Sequence, residues 1–146
     1  MMKAVITGLM AVWLSLSASG AQAGTNGIDL KLSMRPINER QLNDGQIIGS
    51  GQVAYQGEHR GFQVWLTAEK QNGAAERYIL RGSNNNTHRM FVRLERPEWI
   101  PDDIGKQGII IYTGEARADF NIVIDGDQEV AADSYRVPAQ VGAITS

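Results

Sequence analysis

Beyond residue 23, apolar residues fall at every second position almost throughout, and a 3.6-residue period is nearly absent. That rhythm builds half-buried strands rather than amphipathic helices, because successive side chains on a strand point to opposite faces. Ile28, Leu30, Leu32 and Met34 alternate with Asp29, Lys31 and Ser33 until Pro36 ends the run. Asn43-Asp44-Gly45 follows, three residues that tolerate the positive φ of a tight turn. A second strand is expected from Gln46 to Tyr55, with Gly49 and Gly51 marking a bulge or a close backbone approach.

Phe62, Val64 and Leu66 form the next alternating face, with Trp65 on the other side, and Asn72-Gly73 turns the chain again before Tyr78 and Leu80. A polar tip over Ser83–Thr87 leads into Met90, Val92 and Leu94, and a long loop with two prolines and Trp99 runs from Pro97 to Gly108. Ile109–Tyr112, then Phe120, Ile122 and Ile124, continue the pattern. After an acidic loop, Tyr135, Val137, Ala139, Val141 and Ala143 make one last alternating strand. Seven or eight short strands with turn signals every 8–12 residues or so predict an all-β sandwich in a single domain, residues 24–146.

Residues 1–23 have a different character. Lys3 precedes an apolar run from Ala4 to Leu16, and Ala21-Gln22-Ala23 is a small-x-small cleavage site. This is the form of a secretory signal peptide, and the run is shorter than the roughly 20 apolar residues of a membrane span. An exported domain is expected. With no cysteine in the chain, its stability must come from a core or a partner and not from disulfides. Lys plus Arg is 14 and Asp plus Glu is 16, a near balance that argues against nucleic-acid binding by bulk electrostatics.

The chemistry inventory is thin. The two histidines, His59 and His88, sit on different segments and are expected to be solvated; no metal site or cofactor is expected. Gly49-Ser50-Gly51 has the wrong spacing for a nucleophile elbow, and there is no phosphate-binding glycine loop. Asp125-Gly126-Asp127-Gln128-Glu129 lacks the ligand spacing of a calcium loop and reads as a solvated acidic turn. No enzyme is expected. Trp65 and Trp99 would serve a carbohydrate-binding module only if exposed and coplanar, and an aromatic in a central strand normally packs in the core.

Asp133-x-Tyr135 at the head of the last strand has the form of the tyrosine corner of immunoglobulin-like domains. If Tyr135 opens strand F, the remaining residues to Ser146 are used up by F itself, and strand G is missing. A sandwich without its last strand has an apolar groove rimmed by unpaired main-chain groups.

The motifs fit one family. Gly61-Phe62-x-Val64-Trp65, then Gly73-x-Ala75-Glu76-Arg77-Tyr78, Trp99-x-Pro101, Asp125-Gly126-x-Gln128-Glu129-Val130-Ala131 and Tyr135-Arg136 occur in this order over most of the chain. Together they resemble the invasin (D) subunits of Afa/Dr-type adhesins and the minor subunits of Salmonella atypical (Saf) and enteroaggregative fimbriae.

The resemblance implies a fimbrial subunit assembled by the chaperone–usher route, with an immunoglobulin-like sandwich lacking strand G. A strand of a periplasmic chaperone fills the groove first, and a sister pilin's N-terminal extension replaces it at the outer-membrane usher. This is donor-strand complementation. The groove is then expected to be lined by Leu30, Leu32 and Met34 on the first strand and Tyr135, Val137, Ala139 and Val141 on the last. Only Gly24–Gly27 lie between the cleavage site and Ile28, about 13 Å at full extension. That is too short to donate, and it predicts a tip subunit at the cell surface that touches a host receptor, of the integrin class for the invasins. A purely structural cap or initiator, or a major pilin, is the competing expectation. The chain departs from the family's pattern in having Tyr55 where a cysteine falls and none near Gly142, and in placing Pro138 inside the last strand, where a bulge on the groove rim is expected.

Overall fold

The structure is a computed structural model that describes residues 14–15 and 27–145. In chain order the strands are β1 (Leu14–Ser15), β2 (Asp29–Met34), β3 (Gln41–Leu42), β4 (Ile47–Ala54), β5 (Gly61–Leu66), β6 (Glu69–Lys70) and β7 (Arg77–Arg81). They continue as β8 (Arg89–Glu95), β9 (Ile100–Pro101), β10 (Ile109–Tyr112), β11 (Arg117–Ile124), β12 (Gln128–Glu129), β13 (Tyr135–Arg136) and β14 (Ala139–Ile144). The expected leader lies outside the described residues except for β1. The long strands coincide with the alternating runs, so the period of two is what selects them.

Two sheets carry the fold. One runs β2-β4-β11-β8-β7-β6 and the other β14-β5-β10-β9, and every pairing within them is antiparallel. The inner face of the first contributes Leu30, Val53, Tyr78, Leu80, Met90, Val92, Leu94, Phe120 and Ile122 to a buried cluster. Phe62, Val64, Leu66, Ile109 and Ala139 meet them from the second. One core drawn from two facing sheets, neither of them closed, is an immunoglobulin-like sandwich.

The glycines of β4 lie beside a bulge, but the bulged residue is Ile48, and what approaches the glycines most closely is side chain. The β4–β11 register slips between Ile122 and Val123, which pair with Gly49 and Ile47, leaving Ile48 as a bulge. A Cβ at Gly51 would run into the Phe120 ring, and one at Gly49 into Met34. Each glycine makes room for a large side chain on the neighbouring strand.

The last strand is not continuous. Tyr135, Val137 and Ala139 keep their inward alternation and are fully buried, but Val137 and Pro138 belong to neither β13 nor β14. Proline has no N–H for a ladder, so the strand breaks there. Ile28–Met34 supplies β2, paired with β4 from Asp29↔Ala54 to Met34↔Gly49, and is thus part of the domain's own sheet.

Candidate functional site

The head of the last strand is held by two buried polar side chains. The Tyr135 hydroxyl donates to the Ala131 carbonyl at 2.6 Å, which is the tyrosine-corner bond expected from the sequence. Burial, with the Asp133 charge nearby, pushes the phenol up to about 12, so it stays a donor at any physiological pH. Removing that hydroxyl with Tyr135→Phe leaves the Ala131 carbonyl without its donor. The expected cost is about 1–2 kcal/mol in urea unfolding.

Asp133 is 2% exposed. Its carboxylate accepts from the N–H groups of Ser134 (2.6 Å), Asn84 (2.9 Å) and Asn85 (3.1 Å), and His88 Nδ1 lies 2.9 Å away. Burial alone would raise this carboxyl. The Asn84 and Ser134 N–H groups, with His88 and the Asn85 N–H, outweigh it and hold the group below the ordinary carboxylate range. Ser83 N–H also donates to the Ser134 carbonyl at 2.8 Å. The polar tip over Ser83–Thr87, legible only as a loop, is therefore strapped to the start of strand F. His88 is not simply solvated, and neither is His59, whose ring nitrogens lie 2.7 Å from the Gly57 carbonyl and 2.6 Å from the Glu115 carbonyl.

The acidic run is likewise not a solvated turn. Asp125, with its side chain 5% exposed, pairs with both Arg77 and Arg93, and Arg93 reaches on to Asp44 and Glu95 at 2.8 Å each. The Gln128 amide brackets Phe91, accepting its N–H at 2.9 Å and donating to its carbonyl at 3.0 Å. Arg77 and Asp125-Gly126-x-Gln128, far apart in the chain, thus belong to one construction along β7, β8 and the loop after β11. A buried carboxylate needs such partners.

The remaining motif residues divide by face. Phe62, Val64 and Tyr78 are fully buried. Gly61 is packed so closely that a Cβ would strike the Ile111 carbonyl. Trp65 lies half-buried on the outer side of β5, and Glu76 is half-buried. Trp99 is 8% exposed, donates its indole N–H to the Asp119 carbonyl at 2.8 Å and meets the Phe120 ring edge-on. The carbohydrate platform of Trp65 and Trp99 fails on that geometry, because Trp99 is spent on the core.

What remains open are edges. Among the described residues β2 pairs only with β4, and β14 only with β5. Leu30 is buried, whereas Leu32, Met34, Val141 and Ala143 are only partly covered against the core. Thr67 N–H donates to the Pro138 carbonyl at 2.9 Å, and Ser83 N–H to that of Ser134, so the even-numbered residues turn toward their neighbours. Alternate residues of a strand point their main-chain groups to opposite sides. Tyr135, Val137, Ala139, Val141 and Ala143 therefore direct theirs to the free edge. On that edge β1 pairs with β13 in parallel, Leu14↔Tyr135 and Ser15↔Arg136. At the centre of the edge the Ala139 N–H donates to the Val137 carbonyl, 3.0 Å away.

Comparison with known proteins points one way. Residues 38–140 match the family described as Enterobacteria AfaD invasin protein. Escherichia coli protein AfaD is 31% identical over 109 residues, 74% of each chain. Among solved structures, the E. coli Hda pilus minor tip subunit HdaB superimposes with a TM-score of 0.78 at 26% identity, covering 82% of this chain and 84% of that one. The Salmonella SafD adhesin gives 0.74 at 31% identity, with 81% and 84% covered.

Proposed function

Because the chain belongs to the AfaD invasin family and is a minor tip subunit of fimbriae built by the chaperone–usher route, we propose that the edges of β2 and β14 bound the groove in which it receives its donor strand. The observation that carries this reading is the edge of β13 and β14 away from their sheet neighbours, toward which residues from Tyr135 to Ala143 aim their main-chain groups and on which only β1, part of the leader in this reading, pairs among the described residues. Leu30, Leu32 and Met34 line one side of the groove. Tyr135, Val137, Ala139 and Val141 line the other. A donor with apolar residues at every second position completes the core, and main-chain bonds set its register.

Residues 1–23 are the leader in this reading and 24–146 the mature subunit. Its partners are a periplasmic chaperone, then a sister pilin at the usher. Val137→Asp places a charge at a fully buried position, and recovery of the subunit from the periplasm with its chaperone is expected to disappear. Normal recovery would remove Val137 from the groove.

The reading extends to host contact, with an integrin-class receptor as the partner. Donor-complemented protein is expected to bind immobilised integrin, in keeping with membership of an invasin family. No binding would leave a structural tip.

A further inference from the structure

The acceptor edge is interrupted at its middle. The Ala139 N–H is already taken by the Val137 carbonyl, an i→i+2 bond closed across Pro138. Its cause is local. The proline ring holds φ near −65°, close to the central residue of an inverse γ-turn, whose bond is of this kind. The missing proline N–H falls on the β5 side, opposite Thr67, where it would have kept residue 138 flat against the sheet. The Thr67 N–H to Pro138 carbonyl bond survives, so the strand stays docked but steps. β13 ends at Arg136, and β14 begins at Ala139.

We infer that the strand accepted on this edge pairs in two separate ladders, one at Tyr135–Arg136 and one at Val141–Ala143, with a step opposite Val137–Pro138–Ala139, where the Val137 carbonyl and the Ala139 N–H, already bonded to each other, are withdrawn from it. This rests on the reading of the edge as the donor-strand seat. The partner it fits is an extended segment with alternating apolar residues on both sides of one position whose main chain is free of ladder duty. A proline is tolerated at that position and nowhere else among the residues that face the edge.

The test uses the chain from Gly24 with a synthetic alternating Val-Thr strand ligated after Ser146 through a flexible turn, so that the register is fixed. Amide-to-ester replacement along that strand deletes one main-chain N–H at a time. At each position facing Tyr135, Val141 or Ala143 the melting temperature is expected to fall by about 4 °C. At the position facing Val137, whose carbonyl is already bonded to the Ala139 N–H, it is expected not to move. In Pro138→Ala, where residue 138 regains its N–H toward Thr67, the silent position is expected to become sensitive. Equal losses at all facing positions of the unaltered chain would overturn the step while leaving the seat intact. Failure of the unmodified ligated strand to raise the melting temperature at all would overturn the seat, and the step with it.

Discussion

Joining an alternating apolar strand behind Ser146 is expected to raise the melting temperature of the chain from Gly24 by about 20 °C or more. The size follows from burial. Each donor side chain that passes from water into the core contributes about 1.5–3 kcal/mol, and each kcal/mol shifts the midpoint of a domain this size by roughly 3–6 °C. Four such side chains are enough before any ladder bond is counted. Leu32, Met34, Val141 and Ala143, only partly covered against the core, are where the added contacts are expected to fall. Replacing the donor's apolar residues with aspartate should return the midpoint to that of the bare chain. Equal melts with and without the donor, each cooperative and monomeric, would mean that the sandwich is already complete, and donor-strand acceptance would have to be abandoned.

Asp133→Ala is expected to cost about 3 kcal/mol, the largest loss from a single polar side chain here. It removes a buried charged acceptor and leaves the Asn84, Asn85 and Ser134 N–H groups without a partner. The effect has a pH signature. The Asp133 carboxyl is depressed in the folded state, so its stabilisation is fully present above the unfolded-state value near 3.9. It is lost as pH falls below that value toward the folded one, because the unfolded chain binds the proton first. Urea unfolding of wild type and Asp133→Asn at pH 7 and pH 3 should therefore show a gap that narrows in acid. A gap of constant size would assign the cost to packing alone.

The strands were the easiest part of this protein to read, because their alternation is a direct record of which face is buried. Leu30, Phe62, Val64, Met90, Val92, Leu94, Phe120 and Ile122 all fall on the side that the pattern demands. The tyrosine corner was legible as well, since Asp133-x-Tyr135 precedes a long alternating run. What local pattern does not encode is the partnership of polar groups distant in sequence. Nothing adjacent to Asp125 announces that Arg77, 48 residues away, will reach it. Nothing around Ser83–Thr87 shows that Asp133 will gather its backbone. An acidic turn and a polar tip look solvated until the sheets bring their partners alongside. Val137–Pro138 was visible as an anomaly within a strand. Its effect on the free edge follows only from the direction in which each carbonyl points, which depends on the pairing with Thr67.

The fastening of strand F at its head has a mechanical consequence. Ladder bonds lie across the strands, so a donor pulled along its length loads all the bonds of one ladder together, in shear, instead of peeling them one by one. With the donor seated on that edge as proposed, the load passes into β13, where Tyr135 is tied to Ala131 and Ser134 to Ser83, and where Asp133 grips the loop over Asn84 and Asn85. A tensile force on the fibre is thus spread at its far end over a loop and a corner belonging to two other parts of the domain. The strand that carries the tension is anchored where the tension arrives.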